Sequence, residues 1–292
     1  EAMELRESGI RNPIALMEGV FEPDEIDNAA LHDFMIALHS QRQLDWLLTA
    51  QPTRPLDVWL KVDTGMHRLG FAPDQIADVF QRLTASANVR QIVLMSHFAC
   101  ADETHNAATD RQLQRFEQAT EGLQAARSLA NSAAILRWPA THYEWVRPGI
   151  MLYGSSPLLE RSAEELDLRP VMQFESRLAA IQHVRKGETI GYGSTWQCPE
   201  DMPVGVVAAG YGDGYPRHAP SGTPVWINDR LCPIVGRVSM DSLSVDLRGV
   251  EASHGDRVVL WGRELPVDTV AEHAETIAYE ILCHAGNTAN LV

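Results

Sequence analysis

Lysine is close to absent. The 292 residues hold only Lys61 and Lys186, so the 24 basic side chains are almost all arginine. Acidic residues number 39, which leaves a net charge of -15 at pH 7. A chain of that sign has no electrostatic footprint for a nucleic-acid backbone or an anionic membrane surface. No apolar run approaches the roughly 20 residues that span a bilayer. The opening stretch EAMELRESGI lacks the basic start and apolar core of a signal peptide. Cys100, Cys198, Cys232 and Cys283 lie far apart, with no C-x-x-C pair. That spacing argues against a disulfide framework or a cysteine-zinc cluster and leads us to expect a reducing, cytoplasmic setting.

What is present suits one large barrel or two domains. The apolar fraction of 45% and charged fraction of 22% are those of an ordinary globular enzyme. In the first half, the short apolar runs IRNPIALMEG, LDVWLKVDTG, VRQIVLMSHFA, SAAILRW and WVRPGIMLYG read as strands, with helical patterns between several of them. Residues 1–8 read as the end of a helix. Thr109 opens another, with Gln112 three residues on as a capping box, and Leu113, Phe116, Leu123 and Ala126 follow at helical spacing. Alternating strands and helices predict a parallel sheet buried on both faces. Polar clusters at the strand ends favour a TIM-like (β/α) barrel over an open sheet. After about residue 160 the runs VMQFESRLAAIQHV, MPVGVVAAGYGDGYP, TPVWINDRLCPIVGRVSM, SLSVDL and DRVVLWG predict a mainly β domain. One helical pattern, Val267 to Cys283, closes it. The junction is placed in LLERSAEELDLRP, giving a barrel domain over 1–165 and a β domain over 166–292.

Lys61 and Asp63 share one face of a strand by its period of two, and Arg68 follows the turn. They suit either an ion-pair cluster or an arginine held to recognise a carboxylate or phosphate. His97 and Arg147 stand where other strands give way to loops. Pro148 and Gly149 follow Arg147, so backbone N–H groups there can face a phosphate, and Ser132 adds a hydroxyl at a third strand. Each has a plain structural reading alone; together they describe an anion site at a barrel mouth. In the β domain, IGYGSTW brings Tyr192, AGYGDGYPR brings Tyr211, and GRVSMD brings Met240 and Asp241. These are either glycine turns with aromatic plugs or working loops. A phenol can carry protons near neutrality only beside positive charge.

The motifs KVDTGMHRLGF, MSHFACAD, WVRPGIMLYG, GYGSTW, AGYGDGYPR and GRVSMD follow one another in the order and at about the intervals of bacterial alanine racemases, a family this chain resembles over nearly its whole length. The resemblance implies an N-terminal barrel holding pyridoxal phosphate, a C-terminal β domain, and a head-to-tail homodimer in which the partner completes each site. It implies that Tyr192 is a proton carrier for one face of the substrate α-carbon, that Arg147 bonds the pyridine nitrogen, and that His97 links the two. It assigns phosphate contacts to Ser132, Gly149 and Ile150, and the cofactor's phenolic oxygen and the substrate carboxylate to Arg68. Met240 and Asp241 match residues near that carboxylate, Tyr211 an entrance tyrosine, and Lys61 a lysine carried as its carbamate. The implied substrate is alanine, with serine left open; the implied role is supply of D-alanine for cell-wall peptide, with a catabolic one left open.

The sequence departs from this pattern in two places. The family's second proton carrier is its Schiff-base lysine, at the end of the first barrel strand, and neither Lys61 nor Lys186 has that context. About two βα units, roughly 30 residues each, are expected ahead of residue 1. The sequence is then either a fragment of an ordinary racemase or a truly short chain, with a barrel lacking two strands and exposed sheet edges. The tail HAGNTANLV also differs from the family's closing strand. Two rival readings stand beside the racemase: a non-catalytic relative that binds pyridoxal phosphate, and a barrel hydrolase using Asp63 and His97 on a metal.

Overall fold

The computed structural model describes residues 1–286; the tail discussed above lies mostly outside them, at 287–292. Backbone contacts divide the chain into two compact units, Glu1–Gly149 and Ile150–Val292, a division that falls ahead of the junction placed at 165/166.

The first unit runs α1 (Ala2–Glu7), β1 (Ile14–Leu16), α2 (Glu25–Leu31), β2 (Phe34–Leu38), α3 (Gln41–Thr49), β3 (Leu56–Lys61), α4 (Ile76–Thr84), β4 (Val89–Met95), α5 (Ala108–Ala119), β5 (Ala126–Asn131), α6 (Ser132–Arg137) and β6 (Trp145–Arg147). The six strands form one parallel sheet in chain order. Ile36, Leu38, Val58, Leu60 and Leu94 are fully buried on one face. The helices supply partners at helical spacing, such as Ile76, Val79 and Leu83 of α4. The alternate positions Ala37, Trp59, Val93 and Met95 form a separate cluster on the other face. Burial on both faces accounts for the near-continuous apolar strands.

Three local readings are corrected. SAAILRW is not a strand: Ser132–Arg137 is helix α6, capped by Asn131, whose side chain accepts from Ala134 N–H at 3.0 Å. The strand lies just before it, over Ala126–Asn131, where a helical pattern had been extended; α5 stops at Ala119. Thr109 and Gln112 form no capping box, because the helix begins after Ala107 and Thr109 Oγ1 donates to Cys100 C=O.

The second unit opens with short helical turns and then runs β7 (Phe174–Val184), β8 (Thr189–Ile190), β9 (Trp196–Gln197), β10 (Met202–Val207), β11 (Pro224–Ile227), β12 (Arg230–Pro233), β13 (Leu243–Asp246), β14 (Arg257–Trp261), α7 (Val267–His273) and α8 (Ala278–Gly286). Six strands form an antiparallel sheet in the order β12-β11-β14-β7-β10-β13, and β8 pairs with β9. Leu178, Val225, Ile227, Val245, Leu260 and Val270 centre its core. The closing helical pattern is two helices, broken at Glu275, whose φ of 53° is left-handed.

Candidate active site

The period of two that sorts the sheet's faces also builds the site. Trp59 and Lys61 share a face on β3, Val93 and Met95 on β4, Ala126 and Ser128 on β5, Trp145 and Arg147 on β6. Trp59 packs edge-on against Trp145 at 5.7 Å. Toward the C-terminal strand ends the same face turns from aromatic to polar: Lys61, His97, Ser128 and Arg147 replace the apolar residues beneath.

Arg147 is held by neutral partners. Its Nη1 donates to Ser128 Oγ at 2.6 Å, and its Nη2 donates to the carbonyls of Ser96 at 2.5 Å and Leu129 at 3.4 Å. Nη2 also lies 3.4 Å from His97 Nδ1. An arginine cannot accept, so this nitrogen of His97 is the acceptor and the ring proton belongs on Nε2. No described residue accepts from Arg147 Nε. Burial lowers the guanidinium to about 10, which leaves it charged at neutral pH. Burial, then Arg147, Arg68 and Lys61, push His97 down to about 4, so the imidazole is neutral.

Lys61 ends β3 and is 7% exposed. Burial lowers its ammonium, and Arg68 and Arg147 lower it further, against Glu18 and Asp63. Arg68 is exposed on the following loop, in a crevice it shares with Lys61, Asp63, Met66, Ser96 and His97. Asp63 is a turn former: Oδ1 accepts from the N–H of Gly65 and of His67, both at 3.0 Å, and Oδ2 lies 3.0 Å from His67 Nδ1. Burial alone raises its carboxyl, but these bonds carry the net direction downward. Both oxygens being committed, Asp63 makes a poor metal ligand. Among the described residues no three His, Cys, Asp or Glu side chains converge as a ligand set, so the hydrolase reading has no site here.

At the ends of β5 and β6, Gly149 N–H donates to Ser132 Oγ at 2.7 Å, leaving the serine proton for an outside acceptor. Ser132 is the first residue of α6, not part of a strand. Ile150 follows Gly149 directly, and its side chain is buried in the second unit's core.

The second unit gathers its own cluster. Tyr192 lies in a single turn between Gly191 (φ 70°) and Gly193 (φ 75°) and is 69% exposed. A Cβ on Gly193 would sit 3.2 Å from an Arg237 guanidinium nitrogen, which places that loop beside GRVSMD. Tyr211 N–H donates to Ser239 C=O at 3.0 Å, and Gly212 N–H to Met240 C=O at 2.8 Å. A Cβ on Gly210 would lie 2.3 Å from both of those carbonyl oxygens, so only glycine permits the approach. Tyr211, Met240 and Asp241 therefore share one exposed loop pair. Lys186 is exposed near the β7–β8 turn, its backbone N–H donating to Asp201 at 2.8 Å.

Sequence reading missed Ser128 and the Ser96 carbonyl, the two shortest contacts to Arg147. The alternation Ala126, Ser128, Ala130 was the available signal, hidden by the over-extended helix.

Cations and hydrogen-bond donors thus converge at the C-terminal strand ends of the parallel sheet, where enzymes built on such sheets carry their sites, and the second unit presents exposed tyrosines of its own. The family model "Alanine racemase, N-terminal domain" matches residues 1–157, and "Alanine racemase, C-terminal domain" matches 171–292. The alanine racemase of Halorhodospira halophila is 50% identical over 285 residues, which are 97% of this chain and 78% of that protein. That of Shewanella loihica is 52% identical, over 97% and 79%. Among solved structures, the biosynthetic alanine racemase of Pseudomonas aeruginosa matches with a TM-score of 0.94 and 45% identity, over 97% of this chain and 80% of that one. The alanine racemase of Acinetobacter baumannii matches at 0.91 and 41%, with the same coverage. The chain belongs to the alanine racemase family, pyridoxal-phosphate-dependent isomerases built from a curled parallel sheet and an antiparallel-sheet domain.

Proposed function

We propose that the chain is an alanine racemase that interconverts L- and D-alanine on pyridoxal phosphate, supplying D-alanine for peptidoglycan in the cytoplasm. The observation that carries this reading is Arg147: its partners are all neutral, and its Nε–H has none among the described residues. A charge so arranged fits an acceptor such as a pyridine nitrogen, to which arginine donates without giving up its proton. Ser132 with the backbone at Gly149 and Ile150 fits the phosphate, and Arg68 the cofactor's phenolic oxygen and the substrate carboxylate. When bound, pyridoxal phosphate acidifies the substrate Cα–H; Tyr192 moves the proton on one face.

In this reading the sheet is part of an eight-stranded barrel, with the working boundary near 165/166. Two copies associate head to tail, so that the partner's Tyr192, Tyr211, Met240 and Asp241 complete each site. The exposure of Tyr192 and Met240, 69% and 54%, supports loops that serve another molecule. Lys61, its ammonium destabilised, is a candidate for carbamylation: the neutral amine attacks carbon dioxide and releases a proton, giving an anion beside Arg68.

Titrating the protein with pyridoxal phosphate and then following L-alanine by circular dichroism tests the reading. Binding with loss of optical rotation supports the racemase, and absence of binding sinks it.

A further inference from the structure

Gln112 failed as a helix cap but is 3% exposed with every polar atom of its amide engaged. Its Nε2 donates to His97 C=O at 2.9 Å and to Thr64 Oγ1 at 3.2 Å, while Oε1 accepts from Ala99 N–H at 2.9 Å. Two strand-end segments that share no sequence neighbourhood are thus tied to one side chain of α5. The first is the His97–Ala99 loop after β4. The second is the rim after β3, where Thr64 stands between Lys61 and Arg68.

The bonds continue in one direction. Thr64 Oγ1 lies 2.8 Å from Ser96 Oγ, which donates to Val62 C=O at 2.8 Å. With Ser96 a donor there and Thr64 accepting from Gln112, the threonine proton goes to Ser96. The Ser96 carbonyl in turn accepts from Arg147. Thr64 and Ser96 are each 1% exposed, so no solvent competes for these bonds. Gly65 shows how closely α5 approaches the rim. A Cβ there would meet an Arg115 guanidinium nitrogen at 3.0 Å and the Gln112 Cγ at 3.7 Å.

We propose that Gln112 is a positioning residue of the racemase site: its amide fixes the distance between the Lys61–Arg68 rim and the His97 loop and so holds His97 against Arg147. The inference rests on reading this rim as the cofactor site. Gln112's hydrogen bonds go to the His97 and Ala99 backbone and to Thr64 rather than to the His97 ring or Arg147, so it acts through the backbone that carries them. The charged groups that face the His97 ring are Arg147 from β6, Arg68 from the rim and Lys61 from β3; Arg147 bonds the Ser96 carbonyl of this network, and Lys61 and Arg68 flank its Thr64.

The test uses the full chain with ring-labelled histidine, followed by NMR across a pH titration, together with a pyridoxal phosphate titration. Gln112→Met keeps the length and removes all three bonds. We expect the His97 titration to move upward by about one unit as the ring slips from its cationic neighbours, and cofactor affinity to fall by on the order of tenfold, the effect of one lost hydrogen bond. Thr64→Val removes one arm only and moves both in the same direction by less; it carries the test if Gln112→Met does not fold. Phe116→Leu alters the same helix's packing beside Tyr143 while keeping all three Gln112 bonds, and should leave the His97 titration unmoved. The proposal is overturned if the folded Gln112 or Thr64 variants titrate as the parent does, or if Phe116→Leu shifts His97 equally. Should the parent itself bind no pyridoxal phosphate, the cofactor reading falls, while the His97 titrations still judge the clamp.

Discussion

Nη2 of Arg147 and Nδ1 of His97 stand 3.4 Å apart, a permanent cation against an imidazole that must stay neutral to accept from it. With His97 pushed down to about 4 from an ordinary 6.5, the unfolded chain takes up a proton before the folded one does. Stability is therefore full above pH 6.5 and is lost as pH falls toward 4, by on the order of 2–3 kcal/mol. Urea unfolding at pH 7 and pH 4.5 should show this loss, and His97→Gln should flatten it. An unchanged slope in the variant counts against the assignment.

Ser128 Oγ accepts from Arg147 and donates to Trp145 C=O at 3.0 Å. Ser128→Ala leaves a guanidinium N–H unpaired in a part-buried setting. A loss of about 1.5–3 kcal/mol is expected, the range for hydrogen bonds to charged groups. Chemical denaturation reads it, and Ser128→Cys should recover little, since a thiol accepts weakly.

Lys61 should react with carbon dioxide because its ammonium is disfavoured by burial and by two arginines. Protein held in ¹³C-bicarbonate should give one bound carbamate resonance, absent in Lys61→Ala and unaffected in Lys186→Ala. Loss of the signal in the second variant instead would move the modification to Lys186.

Gly210→Ala forces a methyl carbon to within 2.3 Å of the Ser239 and Met240 carbonyls. Overpacking of this kind costs about 1–3 kcal/mol. The melting temperature should drop, and the Tyr211 and Met240 loops should separate, visible as changed amide shifts at both. Gly222→Ala, where a Cβ meets nothing within 4 Å although φ is 101°, provides the comparison for backbone strain alone.

Tyr192→Phe removes only a hydroxyl from an exposed turn, so stability should hold within about 0.5 kcal/mol. If Tyr192 carries the proton, racemisation falls by roughly 10²–10⁴ while pyridoxal phosphate affinity is unchanged. Retained turnover would reassign the proton carrier.

Much of the fold was legible because parallel strands buried on both faces announce themselves: LDVWLK is a strand by composition alone. The errors share a cause. SAAILR is as apolar as a strand and too short for its period to speak, and the Asn131 cap that decides it is one side-chain bond. Val267–Cys283 reads as one helix because no Gly or Pro marks the break at Glu275. That Arg147 and His97 come together at the strand ends was legible because a motif carried each. What holds those residues was not. Ser128, Thr64 and Gln112 are small or ordinary polar residues whose role appears only when three strand ends and a helix are brought together.

The contrast between the two amines has a practical outcome. Acylating reagents at neutral pH meet Lys186 freely, whereas Lys61, although burial and two arginines disfavour its ammonium, is screened by its walls. Labelling kinetics thus report each unit by one side chain: a fast event for the β domain and a slow event for the sheet, whose rate measures how often the strand-end pocket breathes.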